Sequence, residues 1–229
     1  MTGLIMPAYT FPRDMPLRSD GKHPFEQASF DPSYTQATAP TRGSMIQVVN
    51  LGPDLWAMTF QSHILDEEEA HQYQAWLQSL RGGARTFKAW HPMLEFPQAY
   101  AEGWGDLEVD SNPFSGSCTL DAIAGTRDEL SLVDLPDNFE FSIGDMVSIA
   151  MGSSRTLHRV MEAATANGDG EVDITIEPIA PLALEVESPA QEVLLERPYC
   201  LAVVDAKSIR GPWQGGRLAR VSFNAIQTY

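Results

Sequence analysis

The residue types that bind metals or transfer protons are present, but their spacing is not that of a catalytic site. His63 and His71 flank the start of a predicted helix and have acidic residues between them. Eight helical residues span roughly 12 Å, which is too far for one metal ion to bridge without further ligands. Residues 167–171 are rich in glycine and acid, but they lack the ligand order of a calcium loop and are typical of a hairpin turn. We therefore expect no metal site.

Other catalytic chemistry is also poorly supported. Asp106 and Glu108 form the kind of carboxylate pair that a glycosidase needs, but with 31 acidic residues such pairs arise by chance. Motifs of nucleotide-binding sites, zinc proteases and serine hydrolases are not found in the sequence. Cys118 and Cys200 lie far apart and form no zinc-type spacing. The sequence therefore favours a protein that is not an enzyme, with no catalytic residues and no cofactor.

Aromatic side chains offer one alternative chemistry, since indole rings stack on sugars. Trp90, Trp104 and Trp213 would be the residues of such a carbohydrate-binding module. Tryptophan in a β protein more often packs in a core or an interface. Carbohydrate binding therefore stays the second hypothesis.

The charge is unevenly distributed along the chain. The net charge is −16, and residues 101–196 contain 20 Asp and Glu against three Arg, whereas residues 197–229 carry a net charge of +4. The acidic middle repels phosphate, so we expect no direct nucleic-acid binding. The asymmetry either keeps the protein soluble or orients subunits against one another. In the second case, the candidate interface residues of the basic segment are Arg210, Arg217 and Arg220.

Residues 1–44 differ from the rest in being interrupted by six prolines. Proline at this frequency is incompatible with a helix or a central strand, so we predict an extended N-terminal arm. The arm docks either on its own domain or on a neighbouring subunit; in the second case, its deletion leaves a folded but assembly-defective protein. The candidate interface residues are its five aromatic side chains, namely Tyr9, Phe11, Phe25, Phe30 and Tyr34.

Local patterns then predict the elements of a mostly β fold. Residues 45–60 predict a hairpin around the Gly-Pro-Asp turn at 52–54. Asp66 and Glu69 form a capping box that opens an amphipathic helix, which ends at Gly82 and Gly83. Its apolar stripe contains Ala70, Tyr73, Trp76, Leu77 and Leu80.

The second half of the chain is a series of short strands. They are predicted at residues 117–123, 129–133, 146–151, 156–162 and 172–178, separated by turn residues. Strands at this spacing indicate a small barrel or sandwich. We predict a mostly β (α+β) fold in which a β-sandwich-like main domain (45–112 plus 193–229) carries one amphipathic helix. A β module (113–192) is inserted into it, and the arm (1–44) precedes it.

The order of several short motifs resembles a known family. The helix ends in Leu80-Arg81-Gly82, a later strand begins with Gly144-Asp145, and the chain closes on a strand containing Ser222-Phe223. Over residues 45–229 this pattern is similar to the minor tail proteins of long-tailed (siphophage-type) bacteriophages, in particular to distal-tail proteins.

The resemblance implies a structural protein of the virion. Such a subunit forms a homo-oligomeric ring, a hexamer or else a trimer, and contacts neighbouring tail-tube and tail-tip proteins. It is made in the host bacterial cytoplasm and located at the phage tail tip. No stretch of the sequence approaches the length of a membrane span. Within this family, the alternative is a carbohydrate-binding, host-receptor module of the tail tip.

Overall fold

Two hydrophobic cores organise the chain, one beneath a five-stranded sheet and one inside a closed six-stranded barrel. The computed structural model describes residues 3–40, 46–186, 191–211, 213–214 and 218–229. The fold is mostly β, and α1 (Glu67–Ser79) is the single α-helix of the described residues, which confirms the predicted fold class. No helix within these ranges is both long and apolar enough to cross a membrane.

The strands are short and numerous. In chain order they are β1 (Leu4–Ile5), β2 (Leu17–Arg18), β3 (Phe25–Ser33), β4 (Gln36–Pro40), β5 (Ile46–Asn50), β6 (Leu55–Ser62), β7 (Phe87–Trp90), β8 (Glu108–Val109), β9 (Asn112–Pro113), β10 (Ser117–Ile123) and β11 (Glu129–Val133). They continue with β12 (Glu140–Phe141), β13 (Met146–Met151), β14 (Ser154–Val160), β15 (Ala164–Thr165), β16 (Val172–Glu177), β17 (Glu192–Leu194), β18 (Tyr199–Val204), β19 (Trp213–Gln214), β20 (Leu218–Ala219) and β21 (Ser222–Gln227). Short 3-10 helices lie at Arg81–Gly83 and Gln98–Tyr100.

The main sheet is antiparallel, with the strand order β3-β6-β21-β18-β7. Its core is dominated by aromatic rings from the sheet and from α1. Phe60 stacks on Phe223 with ring centroids 5.0 Å apart, and Trp76 of α1 meets Phe87 edge-on at 5.4 Å. The helix thus supplies the layer that covers the apolar face of the sheet.

The predicted limits of α1 are confirmed. The backbone N–H of Glu69 donates to Asp66 Oδ1 at 2.8 Å, and the N–H of Asp66 donates back to Glu69 Oε2 at 3.3 Å, so the capping box is complete. The helix stops at Leu80, followed by left-handed backbone at Gly82 and Gly83. A Cβ at Gly83 would lie 2.7 Å from the Val204 carbonyl oxygen, so this close approach requires glycine.

The barrel has the closed strand order β10-β11-β16-β14-β13-β17. Strands β10, β11 and β13 begin and end at their predicted residues, and β14 begins two residues earlier than predicted. Closure depends on β17, which pairs with both β10 and β13. Alternating side chains of β16 fill the interior, as the period-two pattern of Val172, Ile174 and Ile176 predicts.

The barrel is docked tightly on the main sheet. The indole N–H of Trp56 in β6 donates to the Leu157 carbonyl at 2.7 Å, and the Arg159 guanidinium lies 5.2 Å from the centroid of the same ring. Ser148 Oγ donates to the Tyr199 carbonyl at 2.5 Å. Met146 and Leu157 of the barrel belong to the core of the main sheet, so the two cores are in contact.

The N-terminal region differs from the predicted extended arm. Residues 25–33 form β3, the edge strand paired with β6, and the backbone at Arg13 pairs with the opposite edge of the sheet at β7. Proline is tolerated here because Pro32 lies on an edge strand, where a missing N–H breaks no ladder on the free side. Deletion of residues 1–44 is therefore expected to unfold the sheet, in place of the folded, assembly-defective protein predicted above.

The predicted hairpin over residues 45–60 is wrong. Strand β5 pairs with β4, whereas β6 pairs with β3 and β21. The partner of β5 and one of the two partners of β6 come from residues 1–44, for which the prolines had predicted an extended arm. Residues 52–54 instead connect β5 to β6, and the N–H of Leu51 donates to the Thr35 carbonyl at 2.7 Å beside this connection.

Candidate functional site

A two-stranded hairpin stands apart from both cores. Strands β4 and β5 pair from Gln36 opposite Asn50 onwards, and among the described elements they make their main contacts with each other. Apolar side chains are exposed on both of its faces, with Ile46 71 %, Val48 51 % and Leu51 65 % accessible. We call β4 and β5 the projecting hairpin.

The projecting hairpin has the composition of a contact surface. Neither strand contains a charged residue, although the chain carries a net charge of −16. An isolated two-stranded hairpin is marginally stable in water. Soluble proteins usually protect exposed strand edges with charges or bulges, and exposed apolar patches commonly mark binding surfaces. The hairpin therefore has the properties of an element that is covered by another protein chain.

Titratable groups with raised pKa values lie at the base of the hairpin, at the end of β16 and at the C-terminal residue. Tyr34, between β3 and β4, is half exposed, and partial burial raises the pKa of its hydroxyl. Burial also raises the pKa of the Glu177 carboxyl at the end of β16, and the negative charge of Asp54 raises it further. Burial raises the pKa of Tyr229 to about 12, with a contribution from Asp54 as well. Burial is the main cause of all three raised pKa values.

Two of the predicted aromatic interface residues lie on the surface beside the end of α1. Tyr9 accepts a hydrogen bond at 2.7 Å from Arg85 Nη1, whose guanidinium also lies 4.4 Å from the Phe11 ring centroid. The Arg13 guanidinium lies 5.3 Å from the Tyr9 ring centroid. The hydrogen bond from Arg85, with the charges of nearby arginines, lowers the pKa of the Tyr9 hydroxyl. Tyr9 and Phe11 remain accessible to a partner.

Tyr34 is half exposed, but the remaining two of the five predicted aromatic residues lie inside their own chain. Phe25 and Phe30 are 4 % and 2 % exposed and belong to the core beneath the main sheet. Phe25 packs on Phe60 with centroids 5.1 Å apart, and Phe30 meets the same ring at 5.6 Å. Their assignment as interface residues is therefore corrected: both stabilise the sheet.

The three predicted basic interface residues differ in their surroundings. Arg220 forms an ion pair with Glu26 at 2.8 Å, so its charge is neutralised within the chain. Arg210 is exposed, and its Nη1 donates to the carbonyls of Lys207 at 2.7 Å and Ile209 at 2.9 Å. Arg217 lies outside the described residues.

The buried polar and sulfur groups have structural surroundings. His158 is buried, donates from Nδ1 to the Pro178 carbonyl at 2.6 Å and accepts at Nε2 from Thr156 Oγ1 at 2.9 Å. Burial lowers its pKa to about 4, and burial raises the thiol pKa of Cys118 and Cys200. In the ranges that the structure describes, no three His, Cys, Asp or Glu side chains form a cluster that would hold a metal ion.

Two of the three tryptophans considered for sugar binding, Trp90 and Trp104, pack against the hydrophobic cores. Trp90 is buried in the main core. Trp104 meets Phe114 edge-on at 5.0 Å, and its indole N–H donates to Glu196 Oε2 at 3.1 Å. The side chain of Trp213 lies outside the described part of the structure. Neither Trp90 nor Trp104 therefore offers a free ring face on which a sugar would stack.

Comparison with known proteins assigns no family, since no protein-family model matches the chain and no curated protein matches it. The candidate site therefore consists of surfaces, namely the projecting hairpin and the surroundings of Tyr9 and Phe11. Sequence reasoning missed the hairpin. A usable signal was present, because Arg42 is the only charged residue between Asp31 and Asp54.

Proposed function

We propose that this chain is a structural subunit of the distal end of a long, non-contractile phage tail. It assembles with copies of itself into a ring that links the tail tube to the tip complex. The proposal rests on the motif order over residues 45–229, which resembles distal-tail proteins, and on the projecting hairpin. The hairpin is the single observation that carries it.

The exposed apolar side chains of the hairpin favour burial against another protein chain. Ile46 and Val48 are more than half exposed on β5, a strand without any charge, and so is Leu51, the residue after it. Exposure of this kind is unfavourable in a free monomer, and burying each of these side chains against a neighbour contributes about 1.5–3 kcal/mol. A surface that projects from one subunit onto a different surface of the next makes a heterologous contact, which closes into a ring when the rotation is suitable.

Light scattering on the purified chain tests this proposal. We expect a defined multimer, or a monomer that converts to one as protein concentration rises. Ile46→Lys combined with Val48→Lys is expected to leave a folded monomer, because two charges are placed on the contact surface. The matched control is Ile143→Lys combined with Leu182→Lys, which changes two apolar residues outside the hairpin that are also more than half exposed.

The controls separate a specific contact from general stickiness. If the control variant assembles like the wild type while the hairpin variant does not, the contact is assigned to β4 and β5. Circular dichroism of both variants verifies that the fold is kept. A wild-type chain that stays monomeric at every concentration would contradict the proposal. The carbohydrate-binding alternative gains no support from Trp90 and Trp104, which are packed inside the protein.

A further inference from the structure

One end of the main domain carries a cluster of cationic side chains. Arg13 Nη1 donates to Ser79 Oγ and Arg85 Nη1 to the Ser79 carbonyl, so both lie at the last residue of α1, two residues before Arg81. The loop after β18 adjoins them, since a Cβ at Gly82 would lie 3.1 Å from Ala206 Cβ. This loop adds two further cations. We call the group the cationic end: Arg13, Arg81, Arg85, Lys207 and Arg210.

The positive charge of the cationic end is not neutralised within the described part of the chain. None of its five cations forms an ion pair there, whereas Arg18, Lys88, Arg155, Arg197 and Arg220 all do. Asp205 is the acid in the loop, and its carboxylate accepts from the Lys207 backbone N–H at 3.0 Å. Cations favour the C-terminal end of a helix, which explains Arg13, Arg81 and Arg85 but not the exposed Lys207 in the loop after β18.

The cationic end also borders an apolar groove. The groove lies between α1 and the loop after β18, and its apolar lining comes from Leu77, Ile209 and Val221. Arg210 lines the same groove. A protein surface bound here would therefore meet apolar contacts and fixed positive charges together, which is the usual composition of a specific interface.

The barrel carries the opposite charge on one face. Two adjacent grooves meet at the loop 167–171. The carboxylates that line them are Glu108, Asp110, Asp121, Asp134, Asp137, Asp169, Glu171 and Asp173. Neither groove has a lysine, arginine or histidine among its described lining residues. We call this surface the acidic face.

The two surfaces cannot meet within one molecule. The cationic end lies beside Val204, at one end of β18, and the barrel contacts the other end of β18 through Ser148 and Tyr199. These ends are about 17 Å apart at a rise of about 3.4 Å per residue. Within the barrel, β11 of the acidic face lies across from β13, which faces the main sheet. Each surface is therefore free for another molecule.

We propose that the cationic end of one copy binds the acidic face of the barrel of a second copy. This contact rests on the proposed function, because it identifies a second surface through which the subunits of the ring meet. The contact is heterologous, so it propagates from copy to copy. Complementary charges set the register of such contacts and suppress wrong ones, and the contact weakens as salt rises.

Charge reversal on each surface, followed by a swap, tests the contact. Arg81→Glu with Lys207→Glu reverses the cationic end, and Asp137→Lys with Asp169→Lys reverses the acidic face; all four residues are exposed. We expect each reversal to weaken self-association by about tenfold or more, because attractive pairs become repulsive. The chain with all four changes, and an equimolar mixture of the two reversed variants, should recover assembly. Light scattering at low and high salt gives the readout.

The outcomes separate this contact from the proposed function. If the hairpin variant no longer assembled but both charge-reversed variants did, the proposed contact would be overturned and the proposed function would stand. If reversal of the cationic end weakened self-association but reversal of the acidic face did not, the cationic end would bind another molecule or surface. That result would also overturn the proposed contact. A wild-type chain that never assembles would overturn both. Restored assembly in the four-fold variant would support the contact.

Discussion

Gly170 shows how a single residue fixes the loop that joins the two grooves of the acidic face. Its backbone is left-handed, with φ 72°, and a Cβ there would lie 2.2 Å from the Leu135 carbonyl oxygen. We expect Gly170→Ala to lower the free energy of unfolding by about 3 kcal/mol or more, since strain and a backbone clash add. Urea unfolding measures this.

Gly168 in the same loop is the matched control for this prediction. A Cβ there meets nothing within 4 Å, and its φ is not in the left-handed region. Gly168→Ala should change the free energy of unfolding by less than about 0.5 kcal/mol. Equal effects at the two positions would contradict the structural account of the loop.

His158 predicts a pH dependence of stability. Burial lowers its pKa to about 4 from the ordinary value of 6.5 in the unfolded chain. The unfolded chain thus binds a proton that the folded chain excludes between these values. The free energy of unfolding therefore includes a part that depends on His158 being neutral. This part is fully present above pH 6.5 and is lost progressively as pH falls towards 4, by about 3 kcal/mol.

The measurement for His158 is urea unfolding between pH 7.5 and 4. His158→Gln removes the titrating group, so the free energy of unfolding of the variant should fall less steeply with acid than that of the wild type. Glu177 and Asp54 are present in both proteins, so they do not contribute to the difference between the two slopes. Their raised pKa values make the free energy of unfolding rise with acid, which is opposite to the effect of His158. Identical slopes would contradict the buried, neutral histidine.

At the scale of elements, Trp56 connects the main sheet to the barrel. Its indole N–H donates to Leu157, and Arg159 of the same barrel strand lies over the ring. Trp56→Phe would leave the Leu157 carbonyl without its donor and is expected to lower the free energy of unfolding by about 1–3 kcal/mol. Urea unfolding monitored by circular dichroism checks this. An unchanged midpoint would contradict a docked barrel.

Elements set by local signals were predictable from the sequence, whereas their pairing was not. The capping box of α1 and five of the six barrel strands, namely β10, β11, β13, β14 and β16, depend on neighbouring residues, and their limits lie within two residues of the prediction, whereas β17 was not predicted. Strand β3 was missed because the six prolines of residues 1–44 argued for an extended arm, and a bulge between Phe25 and Gln27 also breaks the period-two pattern of this edge strand. Without β3 and β4, residues 45–60 appeared to pair with each other.

For the candidate surfaces too, the sequence showed which residue types were present but not which of them are exposed. The aromatic content of residues 1–44 was visible in the sequence, but whether an aromatic ring faces the core or solvent depends on tertiary packing. Tyr9 and Phe11 are exposed beside Arg85, whereas Phe25 and Phe30 are buried. The basic character of residues 197–229 was likewise visible, yet only the structure pairs Arg220 with Glu26 and places Lys207 beside the end of α1.

At the scale of the whole molecule, three surfaces point outward from two packed cores. The projecting hairpin is uncharged and apolar, the end of α1 is positive and one face of the barrel is negative. Different surfaces on one subunit that complement each other are what a closed ring requires. The account therefore predicts a protein that acts by assembling, with its copies arranged head to tail.

The central claim is that this chain is built into a phage tail, and its location on intact particles tests it most directly. Antibodies raised against the purified chain would be applied to phage particles released by cells that encode it, and the bound label located by electron microscopy. The account predicts label at the distal end of a long, non-contractile tail, and none on the head or along the tube. Particles that carry no label after their tail ends are exposed by mild denaturation would contradict it.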